Sequence, residues 1–211
     1  MSRGQLGLIR KLYYKETLSV PEIAKGLGVS LDAVYYFMRA NNLARRNYSE
    51  FNRVMFDKKK PSFKPKTNLN AKNKQLKIAG IMLYWAEGFQ TDYADMVDFA
   101  NSKPEMISLF LNFLRKICGV AESKIRIYLY CYANQDIKEL INFWSKMLRL
   151  PPKSFTKPYV RNDFDKSKIG KMKYGLVHIR YHDKKLLNLL RKWINDYIDS
   201  AGSPVGSGGR L

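Results

Sequence analysis

Residues 76–88 read Leu-Lys-Ile-Ala-Gly-Ile-Met-Leu-Tyr-Trp-Ala-Glu-Gly. The stretch is apolar on almost every side and includes small residues such as Gly80, which predicts a buried helix that another helix can approach closely. Gly88 stands where a left-handed residue commonly ends a helix. Glu87 is unusual, because a carboxylate in the last turn faces the negative end of the helix dipole. We therefore expect a packing helix whose acidic residue serves something other than helix stability.

The nine residues 80–88 resemble the LAGLIDADG motif of homing endonucleases, in its variant that ends Ala-Glu-Gly. In that family two motif helices pack together, and the acidic residue before the final glycine binds a divalent metal at the DNA. The resemblance implies that Glu87 and the adjoining Gly88 form a metal site, and that Mg²⁺ is the cofactor.

The chain contains this motif once. Family members with one motif work as homodimers, so the resemblance implies a homodimer through the helix at residues 76–88 with the two copies of Glu87 close together. Two carboxylates in a dry groove repel unless a cation lies between them. A shared Mg²⁺ would also activate water and stabilise the leaving oxygen of a phosphodiester. Met82 departs from the family, which usually has glycine there, and Ala79 and Ala86 supply a close approach on one face instead.

The charge of the whole chain points to a polyanion as partner. There are 38 lysines and arginines against 18 aspartates and glutamates among 211 residues, a net charge of +20. Such an excess is far beyond what solubility needs, and it favours nucleic acid over a membrane surface. Apolar residues make up 45% of the chain, enough for a core.

The sequence shows neither a membrane-spanning segment nor a secretion signal. No apolar run approaches the roughly 18–20 residues needed to span a bilayer, and the first residues lack a signal-peptide pattern. We therefore expect a cytoplasmic protein without membrane contact. The two cysteines, Cys118 and Cys131, are predicted to be buried free thiols, and with only two histidines no zinc-type spacing exists.

Residues 1–46 are predicted to form a helix-turn-helix domain. Ser19-Val-Pro-Glu is a capping box with a proline in the first turn, and Ser30 caps a third helix over residues 31–41. The pattern resembles the helix-turn-helix of resolvases and many bacterial regulators, which implies that the third helix enters the major groove. A protein-contact module is the alternative. The predicted DNA contacts are Ser30, Leu31, Asp32, Tyr35, Tyr36, Arg39, Arg45 and Arg46.

Residues 47–70 show no sustained periodicity and are rich in lysine and proline, which predicts an extended basic linker. Such a segment next to a helix-turn-helix is expected to follow phosphates or to lie in a minor groove. Its predicted DNA contacts are the run Lys58, Lys59 and Lys60. A merely solvated tether is the alternative.

The pattern of residues 71–199 predicts an α+β domain. Its order is helix, short strands, helix, strand, helix, strand, strand, helix, which we expect to build one curved antiparallel sheet backed by helices. This order resembles the LAGLIDADG core with an additional helix at residues 135–149. A capping box is predicted at residues 102–105, and residues 200–211, rich in glycine and serine, are predicted to be a disordered tail.

Two strands alternate cleanly and therefore present a polar face. Residues 124–132 place Arg126, Tyr128 and Tyr130 on one side, and residues 173–182 do the same for basic side chains. That face would suit a DNA groove, although the β-propensity of tyrosine explains the pattern equally well. The predicted DNA contacts on strand faces are Arg126, Tyr128, Tyr130, Arg161 and Arg180. The predicted catalytic residues are Glu87, Gln90, Lys157 and His178, with Asp92 as a water-positioning group.

Together these features predict a site-specific double-stranded DNA-binding protein, a homodimeric Mg²⁺-dependent endonuclease that hydrolyses phosphodiester bonds. The alternative is a non-cleaving transcriptional regulator with a degenerate LAGLIDADG domain, as in a family of sporulation regulators. A third possibility is an RNA-binding or maturase role, which would use the same basic surface.

Overall fold

The computed structural model describes residues 4–161 and 172–201. The fold is α+β, as predicted, and the chain divides into two compact units, Met1–Lys60 and Pro61–Leu211. Most of the predicted charged loop at residues 162–173, and nearly all of the predicted tail at residues 200–211, lie outside the described residues.

The described part of the first unit is helical. Its helices are α1 (Gln5–Arg10), which continues as a π-helical segment (Lys11–Lys15), α2 (Val20–Leu27), α3 (Leu31–Ala40) and α4 (Tyr48–Lys58). The predicted caps of the second and third helices are confirmed: the side chain of Ser19 accepts from the backbone of Glu22, and that of Ser30 accepts from Ala33. Gly28 ends α2 with a φ of 66°, a left-handed conformation that suits glycine and turns the chain into α3.

The core of this unit has the composition of a three-helix packing. Ile23, Val34 and Met38 are buried, and Ile9 of α1 joins them. Leu27 is only partly buried, and Phe37 takes a further core position on α3. The three helices thus share one apolar core.

The predicted extended linker contains a helix. Helix α4 begins at Asn47, whose side chain and that of Glu50 form a reciprocal capping box. No residue of α4 is buried. The lysines and prolines around this helix are typical of a linker, and the prediction followed them. Its capping box was the local signal for a helix.

Residues 61–70 are not a free linker either, because they pack on the second unit. The backbone N–H of Lys64 donates to Gly119 at 3.0 Å, that of Lys66 donates to Ile117 at 2.8 Å, and Phe63 pairs with Val120. These backbone hydrogen bonds are made to residues far along the chain, so no local pattern predicted them.

In the second unit the elements follow the predicted order. They are α5 (Ala71–Glu87), β1 (Val97–Asn101), α6 (Pro104–Phe113), which continues as a π-helical segment (Leu114–Cys118), β2 (Ile125–Tyr132), α7 (Ile137–Leu148), β3 (Tyr159–Arg161), β4 (Leu176–Tyr181) and α8 (Lys184–Ser200). Short 3₁₀ segments lie at Glu122–Lys124 and Pro152–Ser154. The side chains of Asn70 and Asp183 cap the starts of α5 and α8.

The sheet is mixed, whereas an antiparallel sheet was predicted. Its strand order is β1-β4-β2-β3; β4 is antiparallel to both β1 and β2, but β3 runs parallel to β2. Parallel neighbours need a long crossover connection, usually a helix, and α7 is that connection. The additional helix thus explains the parallel pair.

One face of the sheet builds the core. Ile127, Leu129 and Ile179 are fully buried on it, and Phe99 of β1 stacks on Phe110 of α6 with ring centroids 4.2 Å apart. The predicted inward and outward alternation of β2 and β4 is confirmed, except that Tyr132 at the end of β2 is also buried. Both cysteines are buried free thiols, as predicted.

The start of α6 differs from the prediction. Ser102 does not cap it; the cap position is Lys103, which forms no side-chain cap hydrogen bond. The backbone N–H of Lys103 donates instead to the side chain of Asn101, at 2.9 Å. On α6, Ile107 is buried in the core and Met106 is partly buried.

Gly80, inside the motif, is where α5 approaches α6 most closely. A Cβ at this position would lie 2.1 Å from the Cγ atom of Phe113. We expect Gly80→Ala to lower the free energy of unfolding by about 3 kcal/mol, because the buried ring of Phe113 has to move. Chemical denaturation measures this. Helix propensity alone predicts the opposite sign, a gain of about 0.5–1 kcal/mol, and a gain would contradict the prediction. Adding Phe113→Leu should recover part of the loss.

Candidate nucleic-acid interface

Helix α5 carries an exposed apolar face opposite its buried one. Gly80, Ile81 and Tyr84 are buried in the core, whereas Ile78 and Trp85 are 42% and 50% exposed. A helix apolar on every side was predicted to be fully buried, and this is wrong for one side. Ala86 is exposed as well, whereas Ala79 and Met82 are partly buried and Met82 packs against the core; Phe89, 52% exposed, follows the helix end.

The helix ends differently from the prediction. Gly88 has a φ of −79° and a ψ of 150°, which is extended and not left-handed. The chain passes directly from α5 into a bridge between Gly88 and Phe99 at the edge of β1. Glycine is required there by space, because a Cβ would lie 2.4 Å from the carbonyl oxygen of Tyr84. Glu87 is therefore held next to the sheet edge, exposed, in the last turn of α5.

Glu87 has no cationic partner among the side chains of residues 4–161 and 172–201. Over the same residues, no three His, Cys, Asp or Glu side chains are grouped as a metal site. A single chain thus offers Glu87 as one carboxylate at the helix end, with hard oxygen donors of the kind that Mg²⁺ prefers.

Gln90 has a structural contact that the sequence did not predict. Its side-chain amide donates to the carbonyl oxygens of Tyr84 at 3.2 Å and Trp85 at 3.0 Å. Both carbonyls lie in the last turn of α5, and that of Tyr84 also accepts from the backbone N–H of Gly88 at 2.8 Å. Gln90 thereby caps the helix beside Glu87. The loop that follows is tied to α8 by Arg191, which donates to the carbonyl of Thr91 at 2.7 Å, and the predicted Asp92 in this loop is exposed.

A buried carboxylate organises the outer face of the sheet. Asp98 of β1 is 6% exposed and lies beside two side chains of β4. Its Oδ1 is 2.8 Å from Nδ1 of His178, and its Oδ2 accepts from Nε of Arg180 at 2.7 Å. Asp98 was not predicted as a functional residue, because only the pairing of β1 with β4 brings these three side chains together. A carboxylate inside an apolar strand was the one available signal.

The pKa of Asp98 reflects this arrangement. Burial alone raises the pKa of the carboxyl group, but hydrogen bonds and charge from His178 and Arg180 outweigh burial and hold it below its usual value. The same carboxylate acts on its neighbour, because Asp98 raises the pKa of Arg180 against the opposing effect of burial. The ion pair is therefore fully formed at neutral pH.

Asp98→Asn should destabilise the second unit by about 2 kcal/mol at neutral pH, since it leaves Arg180, with a side chain 21% exposed, without its counter-charge. A depressed carboxyl pKa contributes stability above its unfolded value of about 4, and that stability is lost as the pH falls through the lower folded value. The variant should therefore lose less stability than the wild type between pH 5 and 2. Urea denaturation at several pH values measures this, and equal pH dependence in both would contradict it. Asp183, whose pKa is also lowered because hydrogen bonds from Ser62 outweigh burial, should preserve part of the slope in both proteins.

Aromatic and basic side chains surround this ion pair. Arg180 lies over the ring of Tyr128, 4.1 Å from its centroid, and faces Arg126 across the pair of strands. Tyr130 contacts the ring of His178. Like charges directly opposite on neighbouring strands repel, but Asp98 offsets the charge of Arg180. Arg126 donates to two nearby backbone carbonyls and has no carboxylate partner among the described residues, so it is the cation of this pair that is better placed for an anionic ligand.

The remaining predicted residues of the sheet lie at its far edge. Lys157 is exposed in the segment before β3, and Arg161 is exposed on β3 with its guanidinium 5.8 Å from the ring centroid of Tyr132. Lys157 lies on the opposite side of the sheet order from β1, the strand that Glu87 adjoins. The structure thus joins His178 to the Asp98 pair, but it does not group Lys157 with them.

Most of the side chains of the first unit that were predicted to contact DNA are exposed. Leu31, Asp32, Tyr36 and Arg39 of α3 are exposed and Tyr35 is partly buried, while Ser30 caps the helix. Lys59 and Lys60 are exposed, and Lys58, also exposed, forms a salt bridge of 3.3 Å with Glu22. Arg45 and Arg46, which follow α3, contact other groups of the first unit.

Arg46 supports the fold of the first unit. Its guanidinium donates to the carbonyl oxygens of Leu18, at 3.0 Å, and Tyr13, and it lies 4.0 Å from the centroid of the Tyr13 ring. Its predicted role as a DNA contact competes with these contacts. Arg45 is exposed, and its guanidinium lies beside α3, 4.6 Å from the ring centroid of Tyr35.

No family model, no curated protein and no solved structure matches the chain. In the part of the chain that the structure describes, no helix has the length and apolar character that crossing a membrane would require.

Proposed function

We propose that this protein is a homodimeric, Mg²⁺-dependent, site-specific endonuclease of double-stranded DNA, with a fold of the LAGLIDADG type in its second unit. The observation that carries the proposal is the exposed apolar face of α5, which ends at Glu87. A half-exposed Trp85 and Ile78 on one helix face mark an association surface. Pairing two such faces brings two copies of Glu87 together, and a shared Mg²⁺ would offset their repulsion.

The sheet supports the same proposal. Gly88 adjoins β1, and the order β1-β4-β2 with helices on the buried face leaves an outer face that presents Arg126 and Arg180. Both arginines can pair with phosphates or with guanine edges. The excess positive charge, distributed over both units, supports nucleic acid as the ligand.

Recognition of a defined sequence is assigned to the first unit. Helix α3 exposes Asp32, Tyr36 and Arg39 on the side opposite its buried Val34 and Met38. α3 is the second helix of the pair α2–α3, and a helix in that place with this division of faces is suited to the major groove. A dimer would double these contacts and favour a site with two half-sites.

In this proposal each group has one task. The ion supplies a Lewis acid and an activated water when it is bound. Glu87 holds it as a carboxylate ligand, and Gln90 fixes the end of α5 and thus the position of Glu87. His178, oriented by Asp98, presents its second ring nitrogen on the outer face, where it contacts a phosphate.

A non-cleaving DNA-binding regulator is the second candidate. Two observations favour it: the amide of Gln90 is engaged in capping, and Lys157 lies away from the strand that Glu87 adjoins. Neither residue then forms a catalytic group with Glu87. Binding would remain, and hydrolysis would not.

The test is a selection of bound duplexes from a random library, followed by incubation of the selected duplex with Mg²⁺. Products that carry 5′ or 3′ phosphates at a fixed position support the endonuclease. Selective binding without cleavage supports the regulator. Failure to select any sequence contradicts both.

A further inference from the structure

A row of planar side chains crosses three strands on the outer face of the sheet. The ring centroid of Tyr159, on β3, is 5.3 Å from that of Tyr130, on β2, and the ring of His178, on β4, lies 4.8 Å beyond Tyr130. We refer to these three rings as the ring row. It runs across the strands toward Asp98 on β1.

The row does not serve the core. The inward side chains of the same strands, Ile127, Leu129 and Ile179, are already fully buried. Tyr159 is 60% exposed, and Tyr130 and His178 are partly exposed. The β-propensity of tyrosine explains a strand position but not a continuous row that includes a histidine.

Neighbouring rings of the ring row are inclined by 50° and 37°, so within the described residues their faces are not covered by stacking on one another. Asp98 fixes the plane of His178 through Nδ1 and holds Arg180 over Tyr128 through Nε. One buried carboxylate thus orients both an aromatic ring and a guanidinium plane, which lowers the ordering cost of a stacked ligand.

We propose that the ring row binds the unpaired bases of a single-stranded nucleic acid by stacking. Every base has an apolar face that stacks on aromatic rings or on guanidinium planes. In a duplex these faces are covered by neighbouring base pairs, so the ring row offers little to paired bases. Arg126 and Arg180, which face each other beside the row, supply positive charge for the accompanying phosphates. The inference shares with the proposed function only the class of ligand, and it depends neither on cleavage nor on sequence recognition.

The test uses the full chain and labelled 20-mers in fluorescence anisotropy. The probes are oligo(dT), an abasic deoxyribose-phosphate strand of equal length, and a duplex. The wild type should bind oligo(dT) about 100-fold more tightly than the abasic strand, because the phosphates are the same and only stacking on the rings differs. Equal binding of the two strands would overturn the proposal.

Two pairs of variants assign the effect to the rings. Tyr159→Leu and Tyr130→Leu should each weaken oligo(dT) binding about tenfold, whereas Tyr159→Phe and Tyr130→Phe, which keep the ring, should stay within about twofold. Tyr159 is mostly exposed, so its leucine variant should fold. A loss of equal size in the leucine and phenylalanine variants would overturn stacking as the cause.

The source of the bases and the proposed function are tested separately. Oligo(U) should bind as oligo(dT) does, because stacking does not use the 2′-hydroxyl, and binding of the RNA alone would overturn the stacking model. A protein that binds oligo(dT) but no duplex contradicts the proposed function and leaves the ring row supported. A protein that binds duplex but not oligo(dT) does the reverse.

Discussion

Glu87→Gln should lower the rate of Mg²⁺-dependent cleavage about 10³-fold while DNA affinity stays within about twofold. The amide is a weaker ligand than the carboxylate and carries no charge, and losing several kcal/mol of metal-assisted stabilisation of the transition state corresponds to that factor. Binding should be preserved because Glu87 is exposed and forms no salt bridge within the described residues, so its neutralisation breaks no contact of the fold. Single-turnover cleavage of a selected duplex, with anisotropy for affinity, measures both effects.

Glu139→Gln is a matched control, because Glu139 is an exposed glutamate near the start of α7. It should cut as the wild type does. A Glu87→Gln variant that also cuts at the wild-type rate would remove Glu87 from the metal site. If neither the wild type nor the variant cuts while both bind a selected duplex equally, the endonuclease is excluded and the regulator is supported.

Elements with local signals were predicted well from the sequence. Capping boxes and alternating strands are local features, so the start of α2 at Ser19, the start of α3 at Ser30 and the two faces of β2 are confirmed. The start of α6 is the exception. The pattern at Ser102 satisfies the rule for a capping box, and yet Ser102 does not cap the helix; the backbone N–H of Lys103 donates to the side chain of Asn101 instead. A local pattern shows which cap is available, and packing decides which one forms.

The organisation of the candidate site depended on contacts between distant segments. Asp98 and His178 are 80 residues apart, and the register of β1 against β4 alone places them together. Arg46 was predicted to contact DNA from its charge, but its carbonyl partners lie about 30 residues earlier. Such pairings leave no periodic trace in the sequence. Composition therefore yields an expectation of a polyanionic ligand, whereas the contacts of individual residues required the structure.

The exposed apolar side chains of α5 lead us to expect a dimer that a charge on this helix face would separate. Trp85→Glu should convert the proposed dimer into monomers, because the change places a charge at the centre of an apolar contact that has no partner for it. Trp85 is half exposed, so the monomer itself should remain folded. Losing the second copy should weaken binding to a two-half-site duplex about 100-fold, since the advantage of linked binding is lost. Sedimentation equilibrium and anisotropy measure the two effects.

Leu109→Glu is the control for the added charge, because Leu109 is also an exposed apolar residue, 38% accessible, but lies on α6. It should leave both the mass and the affinity of the dimer unchanged. A wild type that sediments as one chain, both free and on DNA, would contradict the dimer.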